Sequence, residues 1–417
     1  MVKELQEYKH WCWNCFRDSV CKHVFMWHLR NADYDDICPS LARYKFDAYA
    51  AQGKMGDIAR AMLEGELKWS DKLLHIIYED PICGACDYNC GRVMEMQPTQ
   101  VIQALRVKAI RDGMSPPGEL KPFLDDLRKN LNPYRKRDAE RANWLKGLPS
   151  ELAGETASPK NGSKTKMLLF AGCSTMRDPQ AEKTPQTAVS LILKAGGDLG
   201  IINDLSKERC CGNPSLRMGD MDQFVAFAKE NIKTYNEMGI DKLVTTCPFC
   251  YSTFRRDYAD VGDKMNFEVV HILDLVDRLI KEGKLKPTKP INMTVTYHDP
   301  CHTGRMSSAG LSGTGDFTGI YEQPRDIIKS IPGMRLVEMN RTKDDNFCCG
   351  GGSWMKYGSH DFAQWTATQR IEEARSTGAE AIVTYCPHCE ENLGEALTSQ
   401  GNKMKVLNVL DLLWQSL

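Results

Sequence analysis

The sequence predicts an α/β protein in which a mainly helical N-terminal region precedes two repeated, Rossmann-like α/β lobes. Two observations carry this prediction: strand-like and helix-like segments alternate over residues 167–417, and one spaced cysteine motif occurs there twice. We expect a helical domain at 1–150, a linker at 151–166, a first lobe at 167–290 and a second lobe at 291–417.

The composition limits the class of function. Of the 417 residues, 42% are hydrophobic and 26% are charged, and the formal net charge is −1. This is the balance of a globular protein, and it gives no indication of nucleic-acid binding. No apolar run is long enough to cross a membrane, and the N-terminus lacks the apolar core of a signal peptide. We therefore expect a cytoplasmic protein without a membrane segment of its own.

The N-terminal region divides into a cysteine-rich part and a cysteine-free part. The cysteine-rich part contains Cys12, Cys15, Cys21, Cys38, Cys83, Cys86 and Cys90. Residues 98–150 contain no cysteine, and apolar residues such as Val101, Ile102 and Leu105 recur there at helical spacing. The next segment is polar, small and turn-rich, which predicts an interdomain linker.

The other ten of the 17 cysteines form two copies of one motif. The first copy has Cys173, Cys210, Cys211, Cys247 and Cys250, and the second has Cys301, Cys348, Cys349, Cys386 and Cys389. The adjacent pairs that begin at 210 and 348 are 138 residues apart, and the Cys-x-x-Cys pairs that begin at 247 and 386 are 139 residues apart. Such regular spacing indicates an internal repeat.

Each copy has the same predicted layout. A strand (167–170 or 293–297) leads into the first cysteine, a long amphipathic helix (221–238 or 361–377) follows Cys-Cys-Gly, and a second strand delivers Cys-x-x-Cys. Sites in such sheets form beyond the carboxyl ends of the strands, so we expect the five thiolates of a copy to converge there. The glycine after each cysteine pair would let the backbone pass close to a bulky inorganic group.

Clustered thiolates select iron–sulfur centres, zinc or copper(I). An odd number of cysteines and a reducing cytosol disfavour a disulfide framework. Taken alone, each Cys-x-x-Cys pair also fits a thioredoxin-type dithiol, and a structural zinc would use four ligands. Five cysteines in each copy, including an adjacent pair, favour iron–sulfur clusters, and the other two interpretations stay open.

The pattern over residues 167–417 resembles the cysteine-rich CCG domain of heterodisulfide reductases. The stretch from Cys38-Pro39 to Cys86 is similar to the two-cluster ferredoxin module that precedes this domain in the D-type subunit of those enzymes. The resemblance implies two noncubane [4Fe–4S] clusters, one on each five-cysteine set. It also implies two ferredoxin-type clusters: a [4Fe–4S] cluster on Cys12, Cys15, Cys21 and Cys90, and a [4Fe–4S] or [3Fe–4S] cluster on Cys38, Cys83 and Cys86.

One position departs from the ferredoxin pattern. Spacing places Asp80 where the first cysteine of the second ferredoxin motif would stand. Asp80 could ligate iron, the corner could be vacant or filled by another ligand, or Asp80 could be a turn residue before Pro81.

The resemblance also implies a function: electrons pass through the ferredoxin-type clusters to the paired noncubane clusters, which reduce a disulfide. Cys211 and Cys349 are the candidate catalytic cysteines, and His302 and His388, with His298 nearby, are candidate proton donors. One alternative is an electron-transfer or bifurcation subunit of a larger anaerobic complex, such as a class II benzoyl-CoA reductase. Another is a non-catalytic scaffold that links a dehydrogenase to a membrane cytochrome.

The implied partners are other redox subunits. The partner would be either a flavin-containing heterodisulfide reductase A-like subunit or a membrane b-type cytochrome. The cytochrome would hold the chain at the inner membrane. A small disulfide or thiol is the implied substrate.

Overall fold

The computed structural model describes residues 2–134, 142–148, 167–176, 179–202, 208–307, 319–401 and 403–417. The predicted linker at 151–166 lies outside the described residues. The N-terminal region is helical, and a π-helical turn, Gly53–Ala59, precedes its third helix. Its helices are α1 (Lys9–Trp13), α2 (Pro39–Tyr44), α3 (Arg60–Leu63), α4 (Asp71–Tyr78), α5 (Ala85–Met94), α6 (Pro98–Arg111) and α7 (Leu120–Asn130).

The first lobe is built around a parallel four-stranded sheet of order β2-β1-β3-β4. Its strands are β1 (Met167–Phe170), β2 (Gly200–Ile201), β3 (Lys242–Thr245) and β4 (Glu268–His271). Its helices are α8 (Pro179–Lys194), α9 (Asn213–Met218), α10 (Met221–Met238), α11 (Pro248–Ser252) and α12 (Ile272–Lys281).

The second lobe repeats this arrangement in a parallel sheet of order β6-β5-β7-β8. Its strands are β5 (Met293–Tyr297), β6 (Met334–Leu336), β7 (Ala381–Thr384) and β8 (Lys405–Asn408). Its helices are α13 (Glu322–Ser330), α14 (Met355–Gly358), α15 (His360–Ser376), α16 (Pro387–Ser399) and α17 (Val409–Ser416). The predicted fold class, a helical region followed by two repeated α/β lobes, is confirmed.

The outer strands were not predicted from the sequence. All four are edge strands: β2 and β6 have two and three residues, and β4 and β8 each run directly into a helix. The two or three residues of β2 and β6 are too few for a period-two pattern to be recognised. Their pairing is visible only in the assembled sheet, where Leu168 lies opposite Gly200 and Met293 lies opposite Met334.

The two lobes pack through equivalent helices. Helix α8 of the first lobe packs on α17 of the second, and α12 packs on α13 in the same way. Each of these two helix pairs has one hydrogen bond to an aspartate. The aspartate lies in the first turn of the helix that ends its lobe. Thr187 Oγ1 donates to Asp411 (2.8 Å), and Gln323 Nε2 donates to Asp274 (2.9 Å). The repeat in sequence is therefore also an approximate two-fold arrangement in space.

The N-terminal helices share an apolar core with the first lobe. Leu105 of α6 belongs to the same buried cluster as Leu216 of α9 and Phe224 of α10. Within the described ranges, no helix combines the length and the apolar character that a membrane crossing needs.

Candidate iron–sulfur centres

Local sequence places the cysteines of the two lobes at strand ends and helix starts. Cys247 follows β3 and is the N-cap of α11, and Cys386 follows β7 and is the N-cap of α16. In both cases proline is the first helical residue, where its missing N–H costs no hydrogen bond. Cys173 and Cys301 lie just beyond β1 and β5, the central partners of β3 and β7. The carboxyl ends of parallel strands share an edge, so these cysteines meet.

The glycine of each Cys-Cys-Gly has a backbone role. Gly212 and Gly350 have φ values of +81° and +87°, the left-handed region that disfavours other residues. A Cβ on Gly350 would meet the Ala363 carbonyl oxygen at 2.7 Å, and one on Gly212 would meet Phe224 at 3.1 Å. The glycine thus lets the turn pack on the long helix that follows. The expectation that this glycine also lets the backbone pass close to an inorganic group stays a prediction.

In the first lobe, the five thiols form a continuous series of sulfur contacts. Its order is Cys173, Cys210, Cys211, Cys250 and Cys247. All five are buried. Burial, followed by the hydrogen bond with Cys210, raises the pKa of Cys211. The pKa of Cys247 is instead lowered, first by the hydrogen bond from Cys250 and also by His388 of the second lobe.

The second lobe has the same series, in the order Cys301, Cys348, Cys349, Cys389 and Cys386. The sulfur atoms of Cys349 and Cys389 are 3.3 Å apart. Backbone N–H groups of the glycine loop donate to sulfur, from Gly350 to Cys348 (3.3 Å) and from Gly351 to Cys349 (3.5 Å). Hydrogen bonds of this kind stabilise thiolate and tune an iron–sulfur centre.

A histidine distinguishes the second set from the first. Arg370 Nε donates to His298 Nδ1 (3.2 Å), which places the imidazole proton on Nε2. That buried Nε2 has no hydrogen-bond partner among the described residues, which leaves it as the nitrogen available to the sulfur of Cys349. The ligand atoms of His298, Cys349 and Cys389 lie within 4.8 Å of one another. Register places Phe170 at the corresponding position of the first lobe, since Leu169 pairs with Val244 as Tyr297 pairs with Val383.

The two cysteine sets face each other across the boundary between the lobes. His388, inside the second Cys-x-x-Cys, makes a hydrogen bond with Cys247 of the first lobe. The Phe249 ring, inside the first Cys-x-x-Cys, lies 4.0 Å from the His302 ring and 4.7 Å from the His388 ring, measured between centroids. His302 Nδ1 pairs with Ser252 Oγ at 2.8 Å, and its Nε2 has no hydrogen-bond partner among the described residues. The two candidate proton donors therefore both lie at the boundary between the lobes.

Most N-terminal cysteines lie within electrostatic reach of one another. Burial raises the pKa of Cys90, and the neighbouring thiols of Cys21 and Cys15 raise it further. Burial also raises the pKa of Cys12 to about 12, with Cys15 as its neighbouring thiol. The structure thus brings together Cys12, Cys15, Cys21 and Cys90, the set predicted to hold one cluster.

The other predicted N-terminal set is brought together only in part. Burial and then the Asp80 carboxylate raise the pKa of Cys38 to about 11. Burial raises the pKa of Cys86 well above its ordinary value, and Asp87, Asp80, Cys83 and Cys21 raise it further. Cys83 acts on Cys86 but also contacts Cys301 and Cys348 of the second lobe.

The structure gives Asp80 partners that the sequence did not reveal. Its Oδ2 lies 2.6 Å from Nζ of Lys54, a side chain with no exposed surface, and its Oδ1 accepts from the Ile82 N–H (2.8 Å). A buried ion pair of this kind needs both partners, because either charge alone would be costly to bury.

Arg305, which was not identified from the sequence, is buried and donates from Nη2 to the sulfur of Cys301 (3.3 Å). The sequence feature that could have identified Arg305 is its position four residues after Cys301. The series of five buried thiols, with backbone N–H donors at sulfur, fits an iron–sulfur cluster better than a four-ligand zinc site.

Comparisons with known proteins agree with this geometry. The family model of the cysteine-rich CCG domain matches residues 167–255 and 295–394. The D-type subunit of the dihydromethanophenazine:CoB–CoM heterodisulfide reductase from Methanosarcina mazei is 30% identical over 339 residues, 80% of this chain and 76% of the relative. The EtfAB:quinone oxidoreductase of Syntrophomonas wolfei is 28% identical over 352 residues, but this chain spans only 46% of its length.

Among solved structures, a hypothetical protein from Helicobacter pylori has a similar fold. The TM-score is 0.50, the identity is 10%, and the match covers 88% of this chain and 68% of the other. This likeness concerns the fold alone. The paired CCG domains, their buried thiols and the identity with the Methanosarcina D-type subunits together show that this chain belongs to the heterodisulfide reductase D-like family of iron–sulfur oxidoreductases.

Proposed function

We propose that this chain is a heterodisulfide reductase-type subunit that relays electrons from its N-terminal region to its two lobes and there reduces a small organic disulfide. The observation that supports this proposal is that the two complete five-thiol sets face each other across the boundary between the lobes. His388 of one set contacts Cys247 of the other, and Phe249 reaches back between His302 and His388. A substrate bound at this boundary could reach both sets.

Each lobe would hold a noncubane [4Fe–4S] cluster on its five cysteines. The N-terminal region would hold two ferredoxin-type clusters, one [4Fe–4S] and the other [4Fe–4S] or [3Fe–4S]. When bound, these clusters supply one-electron chemistry. The protein holds and buries the thiols, and Cys211 and Cys349 each contact two other thiols of their sets. His302 and His388 would provide protons for the thiol products at the boundary between the lobes.

The experiment starts with anaerobic purification and the measurement of iron and acid-labile sulfide. We expect about 15–16 iron atoms, from four clusters. A low-potential donor and a small disulfide should then give turnover that Cys211→Ser or Cys349→Ser abolishes, while the N-terminal clusters stay reducible. The exposed His360→Gln serves as the control for His302→Gln and His388→Gln. Full zinc occupancy with fewer than about eight irons would contradict the proposal.

A second candidate function is electron relay without disulfide reduction. The similarity to EtfAB:quinone oxidoreductase, which is about twice as long, favours it, because there a region like this chain is part of a larger redox protein. The partner would then be a flavin-containing subunit or a membrane b-type cytochrome. Electron transfer to a partner, with no disulfide reduced and no effect of thiols on the cluster spectra, would support relay.

A further inference from the structure

Cys83 lies in the second lobe's thiol set, although it belongs to the N-terminal region. Its sulfur makes hydrogen bonds with those of Cys301 and Cys348. These three cysteines share one buried apolar cluster with Val24, Ile37 and Ala85. Cys83 also lines the same cavity as Cys349, Cys386 and Cys389. The second lobe thus presents six thiols in contact, five of its own and one from the N-terminal region.

One arginine holds Cys83 in this position. Arg305 Nε donates to the backbone carbonyl of Cys83 (3.1 Å), while Nη2 of the same guanidinium donates to the sulfur of Cys301 (3.3 Å). Nη1 donates to the carbonyls of Asp344 and Asn346, at 2.7 Å each. The planar guanidinium therefore fixes the N-terminal backbone against the first cysteine of the second lobe.

The residues on either side of Cys83 are fixed to the second lobe as well. Ser353 Oγ donates to the carbonyl of Pro81 (2.9 Å), and Gly352 approaches that carbonyl so closely that a Cβ would lie 2.6 Å from it. On the other side, Gly84 has a φ of +77°, and a Cβ there would lie 2.6 Å from Met306 Sδ. Contacts on both sides make the position of Cys83 a property of the fold.

We propose that Cys83 is a ligand of the iron–sulfur centre of the second lobe, which makes that centre a site shared between the N-terminal region and the lobe. The inference rests on the proposed function, in that the five-cysteine sets hold clusters. It gives the two lobes different centres, since the described sulfur contacts of the first lobe join its own five cysteines. It also removes Cys83 from the N-terminal set of Cys38 and Cys86.

A matched pair of variants tests this assignment. Cys83 and Cys86 belong to the same Cys-x-x-Cys, so a shared ferredoxin cluster would respond alike to Cys83→Ser and Cys86→Ser. We expect Cys83→Ser to change the Mössbauer and electron paramagnetic resonance signal of the second-lobe centre, whereas Cys86→Ser leaves it unchanged. The full-length protein is purified anaerobically with ⁵⁷Fe, and Cys389→Ser identifies the second-lobe signal.

Two further outcomes complete the test. An unchanged second-lobe signal in Cys83→Ser, or an equal change in Cys86→Ser, overturns the assignment. Cys83→Asp keeps an anionic ligand and should retain iron with a shifted second-lobe signal, so it serves if the serine variant folds poorly. If Cys389→Ser removes no iron–sulfur signal at all, the proposed function fails, whatever Cys83 does.

Discussion

Buried basic side chains lie beside the thiols and carboxylates of the candidate centres. Lys54 pairs with Asp80 near Cys38, Arg305 donates to Cys301, and His298 faces Cys349. Each places a positive charge or an N–H group where a cluster with thiolate ligands would carry negative charge. Such groups change a reduction potential through charge and hydrogen bonding, so they bear on the direction of electron flow.

His298 offers a prediction about the second-lobe centre. His298→Asn keeps an acceptor for Arg370 near the Nδ1 position but removes the N–H that faces Cys349, so we expect a more negative reduction potential. His298→Gln extends its amide towards the Nε2 position and should keep the potential near that of the wild type. Redox titration followed by electron paramagnetic resonance checks this, with the first-lobe centre as the internal reference. Equal shifts in both variants would mean that the effect is steric.

Asp80 offers a second prediction at this scale. Asp80→Asn leaves the buried Lys54 charge without an anion, and we expect the free energy of unfolding to fall by about 3–5 kcal/mol. The double variant with Lys54→Met should recover most of this loss, because no charge remains buried. Anaerobic denaturation and iron analysis provide the measurements. A double variant that is stable but short of iron would show instead that Asp80 is an iron ligand.

At the scale of elements, the repeat lets equivalent helices be compared. Helices α12 and α17 begin with the related sequences Ile272-Leu273-Asp274 and Val409-Leu410-Asp411, and both are capped by the residue that ends the preceding strand. His271 Nδ1 accepts from Leu273 N–H, as Asn408 Oδ1 accepts from Leu410 N–H. The two helices thus begin alike, and their aspartates form a natural pair for experiment.

The pH dependence of α12 follows from its aspartate. Burial raises the pKa of Asp274 to about 6, against the lowering effects of Arg255 and Arg278, and Asp277 raises it further. The folded protein therefore holds a proton that the unfolded chain releases, and this stabilisation is lost as pH rises from about 4 through 6. Asp274→Asn should remove that loss and raise the free energy of unfolding at pH 7 by about 1–2 kcal/mol.

Denaturation midpoints between pH 4 and pH 8 measure this effect. Asp411→Asn is the matched control in α17, and we expect it to change the free energy of unfolding by less than about 0.5 kcal/mol. Parallel pH profiles for Asp274→Asn and the wild type would contradict the prediction.

At the scale of the whole molecule, the N-terminal helices and the first lobe form one packed unit. Arg106 of α6 is buried, and its guanidinium donates to four backbone carbonyls. Three belong to the end of α4 and the turn after it, Ile77, Tyr78 and Asp80, and the fourth belongs to Arg217 of the first lobe (2.8 Å). One side chain thus joins two N-terminal segments to the lobe.

We expect Arg106→Leu to lower the free energy of unfolding by about 3–5 kcal/mol, because it leaves buried carbonyls without donors. Arg111→Leu, on the exposed end of the same helix, should cost less than about 1 kcal/mol. Denaturation of both variants under anaerobic conditions makes the comparison. Similar costs would mean that the shared core, and not Arg106, holds the two regions together.

The sequence by itself determined the repeat, the fold class and the convergence of five cysteines in each lobe. These features are local: a cysteine directly after a strand, a proline that starts the next helix, and one spacing used twice. Parallel strands then bring their ends to one edge whatever the rest of the chain does. The predicted domain boundaries and cluster assignments remain predictions, because neither strand pattern nor cysteine spacing specifies them.

Only the tertiary structure decided which distant groups contact the thiols and the polar residues beside them. Cys83 is 218 residues from Cys301 in the chain, Lys54 is 26 residues from Asp80, and Arg370 is 72 residues from His298. No periodicity or spacing links such residues, because their contacts depend on how helices and lobes pack after each element has formed. The difference between the two lobes is therefore a consequence of packing: the same five-cysteine motif receives a histidine, an arginine and a sixth thiol in one lobe.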